Sequence, residues 1–175
     1  MKTLVAYYSR AGENYVCGQI KKLAVGNTEK IAEKIAAETG GELFKIEQKT
    51  PYSTSYNTCI AQAQQEQREN ARPALVKYAD FSDYDVIFLG YPNYWNTVPM
   101  AVFSFLEQGG LNGQILCPFC THEGSGFGGS IGDLERHFPG AKLLPGLSVR
   151  GCKADSADRD IKEWLEKLQN SMNRH

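Results

Sequence analysis

Three stretches of this 175-residue chain concentrate side chains suited to gripping a small molecule. The first is split, because Ala11 to Val25 separates Ser9-Arg10 from Gly26-Asn27-Thr28. With the intervening residues set aside it reads Tyr-Ser-Arg-Gly-Asn-Thr, a hydroxyl- and glycine-rich turn feeding a helix. Free backbone N–H groups, hydroxyls and the positive end of the helix dipole would make a phosphate cradle of these residues. The purely structural reading is that Asn27 or Thr28 caps the helix. The second stretch, Gly90-Tyr91-Pro92-Asn93-Tyr94-Trp95-Asn96-Thr97, sets planar rings beside hydrogen-bonding side chains, which suits a flat heteroaromatic ligand. A core-packing Trp or a subunit contact is the competing use. The third, Thr121-His122-Glu123-Gly124-Ser125-Gly126-Phe127-Gly128-Gly129-Ser130, has glycines that let the backbone approach a ligand closely.

Other motifs within these stretches fail on context. Gly124, Gly126 and Gly129 fit G-x-G-x-x-G, but late in the chain and with no acidic residue about twenty positions on to hold a ribose. Gly128, Ser130 and Gly132 fit G-x-S-x-G, yet Ser130 does not directly follow a strand, as a nucleophile elbow requires. Cys117-Pro-Phe-Cys120 has redox spacing but lies within an expected strand, where two buried apolar thiols are the simpler reading. His122, His137 and His175 have no metal-ligand spacing with the cysteines, so no metal site is expected. A phosphoacceptor domain would need acidic residues where Tyr7-Tyr8-Ser9-Arg10 stand.

Nineteen basic residues against 20 acidic ones give a net charge of -1, which argues against nucleic-acid or membrane-surface partners. With 42% apolar residues, a chain of this length buries roughly 70% of its unfolded surface as one domain, without needing disulfides or metal. Five irregularly spaced cysteines and no signal-peptide pattern fit a reducing cytoplasm. The uncharged stretch Val86 to Leu106 is interrupted by Pro92, Asn93, Asn96 and Pro99, so it reads as strand, loop and helix rather than a membrane span.

The elements that must position these loops follow from period and punctuation. Short β-rich runs at Thr3–Tyr8, Leu43–Glu47, Asp85–Gly90, Gln114–Thr121 and Leu143–Val149 read as strands. Helical spacing is expected over Asn27–Glu38, Pro99–Gln108, Gly129–Phe138 and Ala157–Met172. Ala11 to Val25 reads as a hairpin or lip, and Asn57 to Asn70 as an apolar-poor surface helix near one sheet edge. Five βα units predict an α/β doubly wound parallel sheet of order 2-1-3-4-5, whose ligands sit beyond the carboxyl ends of the strands.

Together, the split Ser9-Arg10…Gly26-Asn27-Thr28 turn, the Gly90-to-Trp95 loop and the Thr121-to-Ser130 loop resemble the flavodoxins nearly end to end. The resemblance implies FMN, its phosphate held by Ser9, Arg10, Asn27 and Thr28, with Ala11 and Asn14 as further contacts. Pro92, Asn93, Tyr94 and Trp95 would line one side of the isoalloxazine ring. Thr121, His122, Glu123, Gly124, Ser125 and Gly126 would line the other. Two departures stand out: the insert in the phosphate loop, and a near-neutral charge where electron-carrying flavodoxins are commonly very acidic. The expected role is electron carriage between redox partner proteins or small acceptors, with no catalytic residue of the chain's own and a monomeric state, a dimer being the alternative. The other function is an FMN-dependent NAD(P)H oxidoreductase of quinones or similar acceptors, but no segment announces a nicotinamide site.

Overall fold

Strand β1 (Thr3–Tyr7) leads into a two-stranded antiparallel hairpin, β2 (Gly12–Val16) and β3 (Gln19–Leu23), before helix α1 (Asn27–Thr39) and strand β4 (Glu42–Lys45). The computed structural model describes residues 1–174. Helix α2 (Tyr56–Arg68), β5 (Val86–Pro92), α3 (Met100–Gly109), β6 (Ile115–His122), α4 (Ser130–His137), β7 (Lys142–Leu143), β8 (Leu147–Arg150) and α5 (Asp158–Met172) follow. The main sheet is parallel in the order β4-β1-β5-β6, with β7 and β8 both on the far edge of β6. This is the expected 2-1-3-4-5 winding, counting β7 and β8 together as the fifth position.

That fifth position is broken, where the sequence pattern suggested one strand over Leu143–Val149. β7 pairs with Ile115 and Leu116, β8 with Phe119 to His122, and the gap falls opposite Pro118. Pro118 and Pro145 have no N–H to give a ladder, and Gly146 packs so closely on Pro118 that a Cβ there would lie 2.7 Å from the Pro118 carbonyl.

Alternation in the central strands sends successive side chains to opposite faces. Leu4, Ala6, Ile87, Leu89, Leu116 and Cys120 pack with Ala101, Val102, Phe105 and Leu106 of α3. Val5, Tyr7, Phe88, Cys117 and Phe119 pack with Ile31 and Ile35 of α1 and Ile161, Trp164 and Leu168 of α5. A strand buried on both faces is the physical reason these runs read as continuously apolar. It also separates Cys117 from Cys120: their i, i+3 spacing puts them on opposite faces, and burial pushes both thiols up to about 12.

The remaining cysteines include a disulfide that their irregular spacing did not suggest. Cys59 is free and buried, but Cys17 and Cys152 form a disulfide with Cα atoms 5.8 Å apart. Partners 135 residues apart in sequence give no local spacing signal, which is why the bond was not legible.

Candidate functional site

The carboxyl ends of β1, β5 and β6 open into a cavity of about 310 Å³, a size at the lower end of small-molecule sites. Its first wall is the entry to α1. The Ser9 hydroxyl accepts the Glu29 N–H at 3.1 Å, so the helix cap is supplied from 20 residues upstream and not by Asn27 or Thr28. Gly26, with φ of -64°, needs no special conformation; it is demanded by space. A Cβ there would stand 2.2 Å from Ser9 Oγ and 2.7 Å from the Arg10 carbonyl. The Lys30 N–H returns to the Gly26 carbonyl at 3.3 Å. The amides of Asn27 and Thr28 are left without intrahelical acceptors at the positive end of the helix dipole, the arrangement that attracts anions. Thr28 is buried and its hydroxyl lies 2.7 Å from that of Thr121, joining α1 to the end of β6. Ser9, Asn14, Asn27, Thr28 and Thr121 all line the cavity.

Arg10 also borders the cavity, but its guanidinium serves the protein's own backbone. It donates to the carbonyls of Glu13, Ser53 and Thr54, tying the hairpin to the loop before α2. The cradle is thus built mainly from neutral donors, and the helix terminus supplies its positive potential. Ala11 lies outside this cavity, in a neighbouring depression with Tyr8 and Tyr52.

The second wall is the loop after β5. Tyr94 and Thr97 exchange backbone hydrogen bonds of 2.9 and 3.2 Å around Trp95 and Asn96, both left-handed with φ of 49° and 71°. Such conformations cost side-chain-bearing residues on the order of 1 kcal/mol each and persist only where the surroundings fix them. Here the fixings are explicit. The Trp95 indole N–H donates to the Ile60 carbonyl at 2.8 Å, and the Gln67 amide donates to the Trp95 carbonyl at 3.0 Å. Asn96 in turn receives the Gly129 N–H at 2.8 Å. Gly128, with φ of 54°, lets the two loops meet, since a Cβ there would lie 2.3 Å from Asn96 Oδ1. Asn93 donates to Ser125 Oγ and the Gly126 carbonyl, each at 3.0 Å, while its own Oδ1 is buried with no partner among the described residues.

The third wall comes from the loop after β6, where His122, Glu123 and Ser125 line the cavity. Gly124 and Gly126 do not; with φ of 133° and 60° they bend the loop that carries the others. His122 Nδ1 accepts the Gly124 N–H at 2.9 Å, which puts the ring proton on Nε2. Burial lowers its pKa below the ordinary histidine range, against the opposing pull of Glu123. Glu123 accepts the Cys17 N–H at 2.7 Å.

The remaining wall was not foreseen. The helix read as a surface element lies over the cavity as α2, presenting Tyr56, Cys59, Ile60 and Ala63 to it alongside Tyr94 and Trp95. Their i, i+3, i+4, i+7 spacing was a usable signal, hidden because the expected helix began one residue late, at Asn57, and its polar residues outnumbered the stripe. Tyr15 of β2 and Gly151 after β8 also line the cavity. Burial raises the Cys59 thiol and, beside it, the Tyr94 hydroxyl above their usual ranges, so both stay protonated at neutral pH.

A family model described as Flavodoxin matches residues 2–168. A flavoprotein structure from Bacteroides eggerthii is 29% identical, with a TM-score of 0.77, over 96% of this chain and 98% of that one. A second, from Bacteroides uniformis, is 25% identical with a TM-score of 0.77 over 94% and 97%. A Lactobacillus acidophilus flavoprotein solved in complex with FMN is 22% identical, with a TM-score of 0.67 over 92% and 98%, and is similar in fold. No curated protein matches this chain.

Proposed function

The chain belongs to the flavodoxin family, and from that premise we propose that it binds FMN and carries electrons between redox partner proteins or small acceptors. The observation that carries this reading is the meeting, in one cavity of about 310 Å³, of an anion-attracting helix terminus with aromatic and amide-bearing loops. The residues fit the group. The Asn27 and Thr28 amides with the Ser9 and Thr28 hydroxyls would hold the phosphate, while the Asn14 side-chain amide is spent on the Arg10 and Gly12 carbonyls, at 2.9 and 3.1 Å. The Asn93-Tyr94-Trp95 loop, α2 and the His122-Glu123 segment would enclose the ring.

Bound FMN supplies one- and two-electron redox chemistry; the chain's part is to bind, orient and shield it. Tyr94, Trp95, Ile60 and Ala63 line the side of the cavity that would take the ring. His122, held neutral with its proton on Nε2, adds no fixed positive charge there at neutral pH. No helix among the described residues is long and apolar enough to cross a membrane. The proposal includes a cytoplasmic location and action as a monomer.

The test is anaerobic mixing of the holoprotein with NADH and with NADPH while flavin absorbance is followed. Slow or absent bleaching, made fast by a separate reductase, is the expected result. Complete bleaching at ~1 s⁻¹ or faster, with reoxidation by a quinone, would replace the carrier with an NAD(P)H oxidoreductase.

A further inference from the structure

The hairpin β2–β3 is bonded to itself and not to the main sheet, yet two of its residues, Asn14 and Tyr15, line the cavity. Its attachments to the rest of the protein fall into two groups. At its base, Arg10 bridges Glu13 to Ser53 and Thr54, and the Glu13 carboxylate accepts the Tyr56 N–H at 3.1 Å. Midway, Tyr15 stacks on Tyr56 of α2 at 6.0 Å. These contacts fasten the hairpin to the α2 wall. Its tip, the Cys17-Gly18 turn with φ of 49° and 79°, reaches the opposite wall. There it is held by the Cys17 N–H to Glu123 and by the disulfide to Cys152, the residue after cavity-lining Gly151. The hairpin is therefore a strap across the mouth, fixed at one end by a hydrogen-bonded hinge and at the other by a covalent buckle.

Cys17 and Cys152 are both exposed, so the buckle is open to attack by a thiolate, whereas Cys59, Cys117 and Cys120 are buried. Exposed disulfides are the labile ones, and in a reducing compartment those that occur are characteristically reversible. We propose that Cys17–Cys152 is a thiol–disulfide exchange site whose oxidation state controls access to the cavity. A small thiol or protein dithiol attacks one sulfur, the S–S bond breaks through a mixed disulfide, and a second thiol completes the exchange. Two electrons and two protons pass to the chain, leaving Cys17 and Cys152 as thiols and the reductant as a disulfide. Reduction leaves the Cys17 N–H to Glu123 as the tip's one hydrogen bond to the body among the described residues, beside the packing of buried Val16, so the strap opens about its Arg10 hinge. A bound ligand, FMN on the reading above, is then released faster.

Part of the test needs no flavin. Hydrogen exchange over the hairpin is compared in oxidised and dithiothreitol-reduced apoprotein, and in Cys17→Ser and Cys152→Ser variants. Reduction or either substitution should accelerate exchange in the hairpin while leaving the central strands protected. In the holoprotein, FMN dissociation should rise by about tenfold or more, the factor that corresponds to 1.4 kcal/mol of lost restraint. The serine variants should show the fast rate with no further response to dithiothreitol, which separates opening of the buckle from effects of the reductant on flavin. Alkylation of Cys17 and Cys152 without prior reduction of aerobically purified protein would overturn the proposal. So would identical hairpin exchange in the two states, or an unchanged dissociation rate. If the protein takes up no FMN yet the hairpin loosens on reduction, the flavin reading fails and the exchange site stands, with another cavity ligand.

Discussion

Replacing Gly26 by Ala tests the cradle at its tightest point. At φ of -64° an alanine meets no backbone penalty, and by restricting the unfolded chain it should stabilise by ~0.4–1 kcal/mol. The added Cβ, however, would fall 2.2 Å from Ser9 Oγ and 2.7 Å from the Arg10 carbonyl. Overpacking of this kind costs about 1–3 kcal/mol, so the clash should outweigh the entropic gain. Ser9 can move only by giving up the Glu29 N–H, and loss of such a cap costs ~0.5–2 kcal/mol by itself. The single variant should therefore melt lower by roughly 3–10 °C, at ~2–4 °C per kcal/mol for a chain of this length. In Ser9→Ala/Gly26→Ala the nearer obstacle is gone, so the double variant should lose less than the two singles combined, by at least ~0.5 kcal/mol. The backbone carbonyl remains in the way, so the loss is not fully rescued. The assay is thermal and urea unfolding of the apoprotein by circular dichroism, with FMN titration of the same variants, since bound ligand would itself raise apparent stability. FMN affinity should fall by about tenfold or more in Gly26→Ala, that is by ~1.4 kcal/mol. Stability equal to or above that of the parent in Gly26→Ala would refute both the close approach and the cradle built on it.

Thr28→Val keeps shape but strands the Thr121 hydroxyl, and should weaken FMN binding by roughly 1–3 kcal/mol in a calorimetric titration; FAD should bind more weakly than FMN to the parent protein. Trp95→Ala removes the indole bound to Ile60, and should raise flavin emission and move the two-electron midpoint potential by tens of millivolts, where ~30 mV corresponds to 1.4 kcal/mol; unchanged emission and potential would place the ring elsewhere. His122 is held neutral in the fold, so just below its ordinary value of 6.5 the unfolded chain binds more protons than the native one. Its contribution to stability is present above that pH and is lost as pH falls towards the lower folded value. His122→Asn should flatten the melting temperature between pH 7 and 5 in a scanning series, and an unaltered slope would count against this assignment.

The parallel sheet and its order were legible in the chain because a strand buried on both faces leaves an unambiguous apolar run, and Thr3–Tyr7, Val86–Pro92 and Ile115–His122 are such runs. Where those strands end, the three cavity-lining loops follow from topology alone, so Ser9, Asn27, Thr28, Asn93, Tyr94 and His122 could be named without coordinates. The fold decided whatever depends on partners remote in sequence. It gave Ser9 the cap of α1, turned the Arg10 guanidinium to three carbonyls, and broke the last strand beside Pro118. It brought α2 over the cavity, with a stripe too narrow to announce a buried face in a mostly polar helix. It also set Cys17 against Cys152. Local pattern records how each segment divides its side chains between solvent and core, while pairings across tens of residues depend on where the closed sheet carries each loop. That placement belongs to the packed chain as a whole.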